Sequence, residues 1–71
     1  MKTYEKNAMM YEIIKANVKV DFNLSFYEHP IHEIYQIGRY AELFNIKPQN
    51  GKSPARTLYD RLRKYHEQFK A

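Results

Sequence analysis

The residues best suited to chemistry in this chain are its cations, and they are unevenly placed. From Lys47 onward, seven basic residues (Lys47, Lys52, Arg56, Arg61, Arg63, Lys64, Lys70) stand against Asp60 and Glu67, a balance of +5. The residues before them hold five bases and six acids, a balance of −1. Concentrated positive charge is what phosphate binding needs, because each neutralised phosphate releases condensed counterions. Within the basic run, Ser53 followed by Pro54 reads as an N-cap and first position of a helix. Backbone N–H groups at such a start, the Ser53 hydroxyl and nearby Lys52 and Arg56 suit a phosphate. Arg56, Tyr59, Arg63 and Lys64 are spaced to lie along a major groove, where arginine can bond guanine bidentately, and Thr57 flanks them. The expected nucleic-acid-binding set is therefore Lys52, Ser53, Arg56, Thr57, Tyr59, Arg63 and Lys64. The competing reading of the same residues is a solvated basic helix. In it Asp60 and Glu67 pair with Arg56, Arg63 and Lys64 three or four positions away.

Other chemistries find little support. The absence of cysteine excludes disulfides, thiolate zinc sites and a cysteine nucleophile, and suits a reducing cytosol. His29 and His32, one helical turn apart beside Glu28 and Glu33, have a spacing that could hold a metal. Two histidines near a helix start read first as solvated surface, so no metal is expected. Three histidines, eight carboxylates and two serines supply no nucleophile–base–orienter set. With only Gly38 and Gly51, no loop can cradle a phosphate. Neither an enzyme nor a cofactor is expected. No apolar run approaches the roughly 18 residues of a membrane span, and MKTYEKNAMMYEII is not a signal peptide. The expectation is a protein of the cytoplasm with no membrane contact.

The elements that must position these residues form one small domain, 1–71, with a thin core, since a chain this short buries only about 60% of its unfolded surface. A helix is predicted over 3–16, capped by Thr3, with Met9, Met10, Ile13 and Ile14 as its apolar strip and Asn17 ending it in a left-handed conformation. Val18, Val20, Phe22, Leu24 and Phe26 then alternate with polar residues, which predicts a half-buried strand over 18–26. A strand needs a partner. Either it pairs with its copy in a homodimer through residues 18–26, or it is an extended segment laid across the helices. A second helix is predicted over 30–45, with Ile31, Ile34, Ile37, Ala41 and Phe44 as one face and Gly38 beside it permitting a close crossing. After a turn-rich connector, the helix over 53–70 hides Leu58, Leu62, Tyr65 and Phe69. Tyr4, Tyr11, Tyr27, Tyr35 and Tyr40 read as lids on the core with wet hydroxyls, or as stacking platforms for bases. The fold class is mainly α: three helices with one extended, strand-like segment, helix-turn-helix-like.

Two families resemble parts of this pattern. The segment Gly51-Lys52-Ser53-Pro54-Ala55-Arg56-Thr57-Leu58-Tyr59-Asp60-Arg61-Leu62, with Pro30-Ile31-His32-Glu33-Ile34 upstream, resembles the HARE helix-turn-helix family over roughly residues 30 to 65. That family is a winged-helix type found in restriction, RNA-polymerase-associated and chromatin proteins. The resemblance implies DNA binding. The alternating Phe22-Asn23-Leu24 segment, a helix, and Gly51-Lys52-Ser53 opening another helix is similar to the ribbon-helix-helix repressors. Those pair the strand across subunits, and the resemblance implies that Lys19, Asp21, Asn23 and Ser25 face bases. The expected function is a sequence-specific or general DNA-binding domain with double-stranded DNA as partner, in transcription regulation or a restriction or phage system. The alternative is a small protein-binding adaptor or inhibitor that docks on a larger enzyme through exposed tyrosines and the edge strand.

Overall fold

Ser53 stands in extended backbone, and its Oγ accepts the Arg56 N–H at 3.3 Å, with Pro54 as the first helical residue. The last helix therefore starts where the sequence predicts. In the computed structural model, which describes residues 3–70, three α-helices follow one another: α1 (Thr3–Asn17), α2 (Ile31–Leu43) and α3 (Pro54–Phe69). A single 3-10 turn, Phe26–Glu28, precedes α2. The mainly α fold class is what the chain adopts. α3 is its axis, packed against α1, α2 and the 3-10 turn.

Each helix end has a physical cause. Asn17 closes α1 with its side chain, Nδ2 donating to the Ile13 carbonyl at 2.7 Å, and not with the left-handed backbone expected of it. α2 stops earlier than the predicted 45 because Asn45 takes φ +60°. The Ile46 N–H then reaches back to the Ala41 carbonyl and the Asn45 N–H to that of Glu42, the paired bonds of a Schellman ending. Asn50 and Gly51 also take positive φ, +53° and +73°, and the Lys52 N–H bonds the Gln49 carbonyl. That is a tight turn of the Asn-Gly kind. The connector between α2 and α3 has ten residues, longer than the usual helix-turn-helix turn of about 3–4.

The predicted strand over 18–26 is not formed, and among the described residues there is no strand. Asp21 is the reason. Its Oδ1 accepts the Asn23 N–H at 2.9 Å, and its carbonyl accepts the Leu24 N–H at 3.1 Å, so the chain turns in the middle of the alternating run. The alternation nonetheless reports burial correctly for most of its length. Val18, Val20, Phe22 and Phe26 are buried and only Leu24 escapes. They belong to the chain's own core, so within this chain the segment is laid across the helices.

Tyr59 makes the join. It is 1% exposed, where the sequence reading placed it on the DNA-facing flank. Its hydroxyl donates to the Asp21 carbonyl at 2.9 Å and to that of Leu24. Its ring packs on Phe22, Phe26 and His29, with centroids 5.3, 5.6 and 5.0 Å away. Tyr11 of α1 continues the stack onto Phe22 and Tyr65. α3 is covered on more than one side, so its buried sector is wider than the single stripe Leu58–Leu62–Tyr65. Phe69, expected in that stripe, lies past the core and is half exposed, as is Met9 on α1. Ile31 is 79% exposed, because α2 turns Ile37 and Ala41 inward instead.

Two outcomes follow from this packing. Removing the Tyr59 hydroxyl (Tyr59→Phe) takes the side-chain donor from the Leu24 carbonyl, while that of Asp21 keeps the Leu24 N–H. The change should cost about 1–3 kcal/mol, a large share of a total on the order of 5 kcal/mol. Burial raises the Tyr59 phenol well above its ordinary 10.0, with nearby carboxylates adding to the effect and Arg63 opposing it. The stability this contributes is complete below pH 10 and is lost as pH rises toward the folded-state value. Denaturant melts from neutral pH upward should fall off beyond pH 10, and less steeply in Tyr59→Phe. Gly38 sits where a Cβ would meet the Ala55 Cβ at 3.7 Å, an ordinary contact. Gly38→Ala should therefore raise stability by roughly 0.5–1 kcal/mol through helix propensity; a lower melting temperature would mean the crossing is tighter than that.

Candidate nucleic-acid interface

The outward stripe of α3 carries Arg56, Asp60, Arg63, Lys64 and Glu67, and it is largely self-neutralised. Arg56 Nε lies 3.7 Å from Asp60 Oδ2, and Arg63 Nε lies 3.7 Å from Glu67 Oε1. Both arginines thus lie within ion-pair distance of carboxylates one turn along their own helix, although each Nε is covered and forms no hydrogen bond among the described residues. The Arg56 guanidinium also rests 5.2 Å from the centroid of the Tyr27 ring. Of the predicted set, Tyr59 is buried and cannot reach a ligand. Ser53 is exposed, with its Oγ occupied as the helix cap. Thr57 Oγ1 is covered and has no hydrogen-bond partner among the described residues.

Lys52, Thr57 and Lys64 come together elsewhere, in a groove of about 600 Å³ bounded by α1, the connector and α3. The sequence reading missed the rest of its charge. Lys6 from α1, Lys47 from the connector and Arg61 from α3 line the same groove. Arg61 is held in place by donating from Nε to Asn7 Oδ1 at 2.6 Å, which ties α3 to α1 at the groove wall. Among the described residues the lining therefore has five cations and one carboxylate, Asp60. Asp60 takes Lys52 Nζ at 3.1 Å. Lys6, Lys47, Arg61 and Lys64 have no carboxylate within ion-pair distance among the described residues.

No family model, curated protein or solved structure matches this chain. The site must therefore be read from its own charges.

The groove's balance is five minus one, +4. The other described residues carry six bases and seven acids, a balance of −1. The histidine pair adds nothing to this charge. His29, expected on the solvated surface, is 6% exposed. Its Nδ1 lies 3.1 Å from the Ser25 carbonyl and its Nε2 3.1 Å from that of Asp21. His32 projects outward beside Glu33 at 3.8 Å. Among the described residues no three His, Asp or Glu side chains gather where a metal could sit, and no helix is long and apolar enough to cross a membrane.

Only a weak signal for Lys6, Lys47 and Arg61 exists in the sequence. Lys47 and Arg61 belong to the basic run, but Lys6 comes from the acidic half. Nothing in its neighbourhood connects it with residues more than forty positions away.

Proposed function

We propose that this chain is a nucleic-acid-binding module that holds a phosphate backbone in the groove between α1, the connector and α3. The observation that carries this reading is the gathering of five cations and one carboxylate in that one groove, while the other described residues sum to −1. A polyanion is the ligand that repays such an arrangement, since counterion release scales with the phosphates neutralised. The outward stripe of α3 plays a smaller part than the sequence suggests, because Arg56 and Arg63 already have partners. Those pairs are half-exposed and worth only about 0.3–0.5 kcal/mol each, so a phosphate can exchange with them. A cytoplasmic location, inferred from the lack of cysteine, fits a nucleic-acid ligand.

A second reading is favoured by one separate observation. Ile31, Tyr35, Arg39 and Leu43 form a row four residues apart on α2, and three of them are large apolar side chains exposed to solvent. Such a row suits a protein partner laid along the helix. This adaptor reading uses none of the groove residues.

Titration of labelled oligonucleotides against salt tests the first reading. Engaging all five cations should give a slope of log K against log salt of roughly −3.5 for a single strand and −4.5 for a duplex. Lys47→Ala with Lys52→Ala should lower the magnitude by about 1.4 on single strands. A flat dependence for both ligands refutes backbone binding. Asp60→Asn removes the groove's carboxylate and frees Lys52, at a stability cost under about 1 kcal/mol. It should tighten binding several-fold; unchanged or weaker binding would place the ligand elsewhere. If Tyr35→Asp or Ile31→Asp abolishes capture of a protein partner while groove variants leave it intact, the adaptor reading gains.

A further inference from the structure

The basic groove has a neighbour. Arg61 and Lys64 line it and also line a second hollow of about 410 Å³, walled by Tyr4, Asn7, Tyr65, Gln68 and Phe69. The two adjoin at those cations. The second hollow has a different chemistry: it contains no carboxylate among the described residues, and its walls are aromatic and amide side chains. Tyr4 and Phe69 pack on each other, centroids 5.4 Å apart, and Tyr65 supports Phe69 from the core side at 5.0 Å. The support is rigid, because Tyr65 is buried between α1 and α3. Yet Tyr4 remains 56% exposed and Phe69 54% exposed.

Both rings line the hollow that shares Arg61 and Lys64 with the basic groove. From this juxtaposition we infer that the groove takes a single strand, whose backbone follows the cations while an unpaired base stacks on the Tyr4–Phe69 platform. The inference rests on the backbone-binding reading above and adds the ligand's strandedness. In a duplex the bases are stacked on one another and their flat faces are closed, so the platform would find nothing to cover. A single strand offers open faces, and every base has one, so the contact asks for no particular sequence. Arg61 and Lys64 mark where backbone contact gives way to base contact. The Asn7 and Gln68 amides, with both donors and acceptors, lie where the edge of a stacked base would fall.

The test compares wild type, Tyr4→Ala, Phe69→Ala and Lys47→Ala with Lys52→Ala on single-stranded oligonucleotides, the matched duplex, and a strand of equal length with abasic sugars. DNA and RNA strands are both run, since stacking alone does not separate them. Wild type should prefer the single strand to the duplex. Each aromatic truncation should weaken single-strand binding about tenfold while leaving its salt slope and the duplex affinity unchanged. The abasic strand should bind wild type as weakly as the intact strand binds Tyr4→Ala, and should be indifferent to that substitution. Tyr4→Phe and Phe69→Tyr, which keep the rings, should retain full affinity, which separates stacking from loss of fold. Equal or tighter binding of the duplex, or aromatic truncations without effect on single strands, overturns the single-strand inference while leaving backbone binding intact. If the double lysine variant also changes nothing, the backbone reading itself fails.

Discussion

The Tyr59 side chain holds α3 to the segment that leads into α2, and the arrangement of every surface follows from that contact. In a domain of this size the core is thin, and five rings add bulk to its eight non-aromatic apolar side chains among the described residues. Tyr59, Phe22, Phe26, Tyr11 and Tyr65 form a continuous set of contacts from α1 across α3 to the 3-10 turn. A phenylalanine would supply the same apolar area. Only the hydroxyl also donates to the Leu24 carbonyl and adds a donor to that of Asp21, tying α3 to this turn. Burial in turn raises the phenol's pKa and keeps it protonated as that donor.

Because this contact places α3 at the centre, the helix has little free surface. Its outward stripe is narrow, and residues one turn apart on it carry opposite charge. The cations at its edges are different. Arg61 and Lys64 point toward α1, where Lys6 stands, and Lys52 and Lys47 come in from the connector. The groove is thus a consequence of how the core is packed, and Arg61 bonded to Asn7 fixes its wall. The Asn-Gly turn and the Schellman ending of α2 set the path of the connector, and so the position of Lys47 and Lys52.

Local signals in the sequence locate what is local in the structure. Ser53-Pro54 starts α3, the apolar spacing of Ile37 and Ala41 orients α2, and the alternation from Val18 to Phe22 marks buried positions. The same alternation misleads about what covers them. A period of two describes which residues face inward, and it is silent on whether a sheet or a helix lies beneath; Asp21 and Asn23, both turn-forming residues, were the evidence for a break. Tyr59 was misplaced because a helical wheel assumes one buried stripe, whereas α3 is packed on several sides. The groove was half legible. Its basic run could be counted, but the meeting of Lys6 with Lys64 depends on a tertiary contact that no spacing records.

On the proposed reading, charge and stacking divide the work of recognition. Screening at physiological salt confines each cation's influence to about 8 Å, and the other described residues sum to −1, so attraction to a polyanion would be set by the groove cations acting together. Such attraction distinguishes phosphate-rich ligands from others but treats one strand or sequence much like another. Discrimination must come from groups that see something besides phosphate. In this molecule the groups beside the groove, in the hollow that shares Arg61 and Lys64 with it, are the Tyr4 and Phe69 rings and the Asn7 and Gln68 amides. A ligand held by its backbone therefore presents its bases to the platform at high effective concentration, and weak stacking suffices to choose among strands.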